Sequence, residues 1–175
     1  HLQHIHIGPV HKVDRITGER VYESFGSIAK SAASMDGWHP KEMAMMSLAA
    51  CRKLADMLNL VEEGAPWPKA AVQAKVVFLE KENAPEGEVM SYRPLTIAAP
   101  IYRCWATMRL GDMQSWISEW CLPEMHAGVP GMGAADAWHE VLTTLEDHKL
   151  NGQSYCGGVA DIAKFFDQII KELVF

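Results

Sequence analysis

Asp161 closes a run of small and apolar residues, Gly157-Gly158-Val159-Ala160, and an aromatic, Phe166, follows five places later. A carboxylate delivered at the end of a strand and followed by a helix suits a divalent cation in phosphoryl transfer. Mg²⁺ takes carboxylate and substrate phosphate oxygens rather than a full protein cage. One carboxylate does not complete such a site, because a two-metal centre needs ligands on both sides of the reacting phosphorus. The structural alternative is that Asp161 caps the N-terminus of the following helix. A second pair of chemically capable residues, Lys81 and Arg93, flanks a polar loop that contains Pro85 and Gly87. Two cations on one hairpin grip a triphosphate, Lys as a point charge and Arg as a planar fork. The alternative there is a solvated hairpin whose charges do little.

Other candidates are weaker. Gly128-Val129-Pro130-Gly131-Met132-Gly133 is glycine-rich, but it lacks the terminal Lys-Ser/Thr of a P-loop, and it reads as a loop opening a helix. His1, His4, His6 and His11 cluster near the start without the spacing of a closed metal site. The four cysteines, Cys51, Cys104, Cys121 and Cys156, are scattered and unpaired in sequence. That pattern suits a reduced, intracellular protein, in the nucleus or the cytoplasm alike.

The elements that position these residues follow from periodicity and punctuation. Val21, Phe25 and Ile28 recur at loosely helical spacing. Asp36-Gly37 is a turn, with Trp38 beside it. Pro40 opens a helix whose face is Met43, Met46, Ala50, Leu54, Met57, Leu58 and Val61, and Gly64 and Pro66 end it. Lys75 to Leu79 and Tyr92 to Ile97 read as the two strands of a hairpin, with Pro94 confining the second to an edge or its start. Pro100 opens a second long helix, with Gly111 as a candidate kink. A further helix spans residues 134–148, with Ala137, Trp138, Val141, Leu142 and Leu145 expected inward. Residues 154–160 form the strand that delivers Asp161, and a helix follows to Phe175.

The chain has 175 residues, 49% of them apolar and 22% charged, enough for one globular domain with a real core. A net charge of −6 argues against a broad nucleic-acid surface, although a confined basic groove is compatible with it. No apolar run is long enough to span a bilayer, so no membrane partner is expected. There is no initiator Met, and the last residues read as a helix that is cut short, so a fragment of a longer product is expected.

Four pieces in order resemble the reverse transcriptases of non-LTR retrotransposons and group II introns. They are Met35-Asp36-Gly37-Trp38, Tyr92-Arg93-Pro94-Leu95, the glycine loop with Ala134-Ala135-Asp136-Ala137, and Asp161-Ile162-Ala163-Lys164-Phe165-Phe166-Asp167. The resemblance implies an α+β, helix-rich fingers region with an antiparallel hairpin, plus the first palm strand and helix of an incomplete right-hand polymerase. Residues 1–30 would be an extension, poorly ordered or partly helical, and 31–175 a partial polymerase domain. It further implies that Asp161 and the carbonyl of Ile162 bind Mg²⁺ or Mn²⁺. Phe166 would exclude a 2′-hydroxyl, and Arg93, with Lys81, would meet the incoming deoxynucleoside triphosphate. The implied partners are an RNA template, a DNA primer and the missing remainder of the polymerase. The sequence departs from the family in two respects. It holds no Asp-Asp pair, and Val129, Pro130 and Met132 stand where the family's loop carries aromatic and basic members. These residues alone are therefore expected not to polymerise. The competing expectations are a non-catalytic nucleic-acid-binding or structural remnant of a retroelement, and an unrelated small helical interaction domain.

Overall fold

The computed structural model describes residues 11–82, 85 and 87–161. About 50% of the described residues are helical, and the described strands form one two-stranded antiparallel sheet. The chain divides into two compact units between Trp120 and Cys121. No helix among the described residues is long and apolar enough to cross a membrane.

In the first unit, helix α1 (Gly18–Ile28) starts where the Thr17 side chain accepts a hydrogen bond from the Arg20 amide. That bond satisfies one of the donors every helix start leaves open. Val21 and Phe25, one helical turn apart, are fully buried. Ile16, Val21 and Phe25 thus contribute a central piece of the core. Their neighbours there are Cys51, Ala55 and Leu58 from α3 (Leu48–Glu62), and Cys104 and Met108 from α5 (Pro100–Trp120). Each fully buried side chain the size of Leu58 or Phe25 contributes about 1.5–3 kcal/mol by leaving water. Gly18 sits where α1 meets α3 most closely. A Cβ there would lie 2.8 Å from the Arg52 Cα. Asn59 ties the chain entering α1 to α3 from both sides of its amide. Its Oδ1 accepts from the Ile16 amide at 2.9 Å, and its Nδ2 donates to the Ile16 carbonyl at 2.8 Å.

The single helix expected from Pro40 to Val61 is two helices. The short α2 (Pro40–Met43) is separated from α3 by residues 44–47. The physical reason is Ser47, whose hydroxyl accepts from the Ala50 amide at 3.3 Å and so starts a new helix instead of continuing the old one. A four-residue helix, α4 (Lys69–Val72), leads into strand β1 (Ala74–Glu80). Strand β2 (Tyr92–Ala98) returns antiparallel to it, with Val77 opposite Leu95 and Phe78 opposite Pro94. The expected hairpin is therefore formed. Pro94 is tolerated because a two-stranded sheet consists only of edges. Pro100 begins α5 as expected, and α5 runs unbroken through Gly111.

In the second unit, the glycine loop turns through Gly128 and Gly131, both at positive φ, and opens α6 (Ala134–Leu150). The Asp136 side chain accepts from the Gly133 amide at 2.8 Å, so this acidic residue caps its own helix. Two expectations fail here. No residue of α6 is buried, and Trp138 is 65% exposed. The strand expected at residues 154–160 does not form, and residues 153–161 carry no regular secondary structure and are exposed. A strand needs a neighbour to take its amides and carbonyls. Among the described residues only β1 and β2 pair.

Candidate functional site

The hairpin is where the structure brings sequence-selected residues together. Register and pleat fix which side chains share a face, because directly opposed residues point the same way and the period along each strand is two. Arg93 lies opposite Leu79, and the Lys81 amide donates to the Ser91 carbonyl at 2.8 Å, carrying the ladder one step beyond β1. Lys81 and Arg93 therefore occupy diagonal positions on one face, where Cβ atoms in such sheets are about 7–8 Å apart. Lys75, opposite Ile97, is on the same face further down. Phe78, 66% exposed, and Glu80 are on the other face.

Two anchors hold the base of the hairpin. The Ser34 hydroxyl donates to the Ile97 carbonyl at 2.8 Å, and Ala99 and Pro100 beyond β2 are fully buried. The turn end is braced by Ser91, 3% exposed, whose hydroxyl donates to the Pro85 carbonyl at 2.6 Å. Arg93 itself is exposed. The result is a ribbon fixed at its base that carries cations on one side toward its turn.

Asp161 is exposed and in no regular element, and it belongs to the second unit. Among the described residues no three His, Cys, Asp or Glu side chains come together to hold a metal ion. Mg²⁺ takes one or two carboxylates and completes its shell with substrate phosphates and water, so Asp161 would supply one side-chain ligand of such a site. Ile162 and Phe166 lie outside the described residues.

The most strongly organised polar group is one that sequence reading passed over. Arg109, 8% exposed, donates Nε and Nη2 to both carboxylate oxygens of Glu62, each at 2.6 Å. Its Nη1 donates to Asp112 Oδ2 at 2.6 Å and to the Asp14 carbonyl at 2.8 Å. Arg20 adds a bond to Asp112 Oδ1 at 2.7 Å, and Trp105 Nε1 donates to Glu62 at 2.8 Å. The Arg109 hydrogen bonds hold the Glu62 carboxyl below its usual range against the opposing effect of burial. Burial raises the Asp112 carboxyl, but the bonds from Arg20 and Arg109 outweigh it, and the net shift is downward. These donors and acceptors bond one another, so the network fastens α1, α3 and α5. Its only sequence signal was the Arg109/Asp112 spacing. Cys51 and Cys104 are likewise structural. Burial pushes the Cys104 thiol up to about 11, and a protonated buried thiol is a poor nucleophile.

The chain matches no protein-family model and no curated protein.

Proposed function

We propose that this chain is a fragment of an RNA-directed DNA polymerase whose hairpin contributes the triphosphate contact of the fingers. The observation that carries this reading is the strand register, which sets Lys81 and Arg93 on one face of a ribbon anchored at its base. The ordered motifs around the hairpin agree with it. In this reading the Arg93 fork takes two phosphate oxygens and Lys81 adds a point charge. Asp161 is one carboxylate of a centre whose other members are not among the described residues, so catalysis belongs to a longer polymerase. Ile162 and Phe166 keep their proposed places beside the metal and beneath the sugar. An RNA template and a DNA primer are the proposed partners.

The second reading, a nucleic-acid-binding remnant without catalysis, is favoured by exposed Phe78, which offers a base-stacking surface. One titration separates the two. Fluorescently labelled dATP and a single-stranded RNA are bound in turn to the wild-type chain and to Arg93→Ala. Losing a charge-assisted fork from an exposed site costs about 1.4 kcal/mol, or tenfold in affinity. The polymerase reading expects that loss for dATP and little change for RNA. Equal dATP affinity in both chains refutes the hairpin as a triphosphate contact, and loss confined to RNA favours the remnant.

A further inference from the structure

Asp36 and Trp38, on either side of Gly37, stand at the rim of a cavity of about 220 Å³ in the first unit, beside the break between α2 and α3. Met43, Met46 and Met57 line its wall, and Ala70 faces it from α4. The sequence pattern places these methionines on the inward helix face, and Met43 is buried in the core with Met46 and Met57 packed against it, while space remains beside them. Gly37 has φ +79°, a conformation that L side chains rarely adopt. The turn is closed by the Trp38 amide donating to Asp36 Oδ1 at 3.3 Å. As a result Trp38 and Asp36 line the same, mostly apolar cavity. Asp36 makes no ion pair with any described residue.

We propose that this cavity binds a small amine with an apolar or aromatic body. Size and lining select the body. An apolar protein cavity of roughly 150 Å³ already takes a benzene ring, and this one is larger. Thioether side chains adapt to irregular shapes and make favourable contacts with aromatic rings. The rim selects the charge. A carboxylate without an ionic partner and a tryptophan face within one turn both favour a cation, and neither favours an anion. The cavity shares no residue with the hairpin face, so the proposal stands independently of the polymerase reading.

The test uses three probes of similar bulk with the wild-type chain: phenethylamine, ethylbenzene and 3-phenylpropionate. Binding is followed by ligand-observed NMR, with Trp fluorescence as a second signal. Phenethylamine is expected to bind about fivefold more tightly than ethylbenzene, in line with a partly exposed cation–π and ionic contact. The carboxylate is expected to bind least. Asp36→Asn, a change at a half-buried turn, should abolish the preference while leaving ethylbenzene binding intact. Ala70→Phe, at an exposed position, should fill the cavity and abolish binding of all three probes. A far-ultraviolet spectrum matching wild type shows that each variant is folded. The proposal is overturned if phenethylamine fails to bind at millimolar concentration. It is equally overturned if Asp36→Asn keeps the amine preference, or if folded Ala70→Phe binds as wild type does.

Discussion

Replacing Arg109 by Met tests whether the buried ionic network holds the first unit together. The substitution keeps much of the side-chain volume and removes five donors. Glu62 would retain one bond, from Trp105 Nε1, and Asp112 would retain Arg20. Removing one partner of a fully buried ion pair costs about 3–5 kcal/mol, because the remaining charge stays out of water. The Glu62 and Asp112 side chains are 26% and 21% exposed, so water recovers part of that penalty. The expected loss is about 2–3 kcal/mol. With an m-value of about 1–2 kcal/mol/M for a unit of this size, the urea midpoint falls by about 1–3 M. Trp105, bonded to Glu62, reports the transition by its fluorescence. Adding Glu62→Gln to Arg109→Met removes the stranded charge. The double variant should therefore be about 1 kcal/mol more stable than the sum of the single effects predicts. A midpoint change worth less than about 0.5 kcal/mol for Arg109→Met, or simple additivity in the double variant, would refute the reasoning.

The same network sets an acid limit. The folded carboxyls of Glu62 and Asp112 titrate below their ordinary values of 4.5 and 3.8. Their contribution is therefore complete above those values and is lost as pH falls through the folded ones. Urea midpoints should be flat above about pH 5 and fall steeply below about pH 4. In Arg109→Met that acid-side slope should be shallower, and an unchanged slope would place the acid sensitivity elsewhere. Helix α1 offers an internal control for packing. Gly18→Ala brings a Cβ within 2.3 Å of Arg52 Cγ and 2.9 Å of its backbone nitrogen. Because backbone atoms must give way, a loss of about 1–3 kcal/mol is expected. Gly26→Ala, with open space around its Cβ, should instead gain up to about 1 kcal/mol from helix propensity. Thermal melts of the two variants moving in the same direction would count against the close crossing of α1 and α3.

Much of the first unit was legible in the residues. Pro40 and Pro100 marked helix starts, and the spacing of Val21, Phe25 and Ile28 marked a helix. Two β-rich runs about a polar loop marked the hairpin, so the shared face of Lys81 and Arg93 was implicit in a register no residue violates. These signals are local. A proline fixes its own φ, and alternation along a strand places side chains before any partner arrives.

What the sequence left open depended on distant partners. The Pro40–Val61 pattern is continuous, yet Ser47 ends one helix and begins another, and the cavity opens beside that break. Trp138, Val141 and Leu142 have the spacing of a buried face, but no residue of α6 is buried. Residues 154–160 have strand-like composition, but a strand is a property of two chains of atoms, and no described segment supplies the second. Arg109, Glu62, Asp112 and Arg20 span 92 residues of sequence and meet only because three helices converge. Local stereochemistry determined where elements begin and which way side chains point. Only tertiary packing decided which faces are covered, because burial and charge pairing are set by whatever the fold brings alongside.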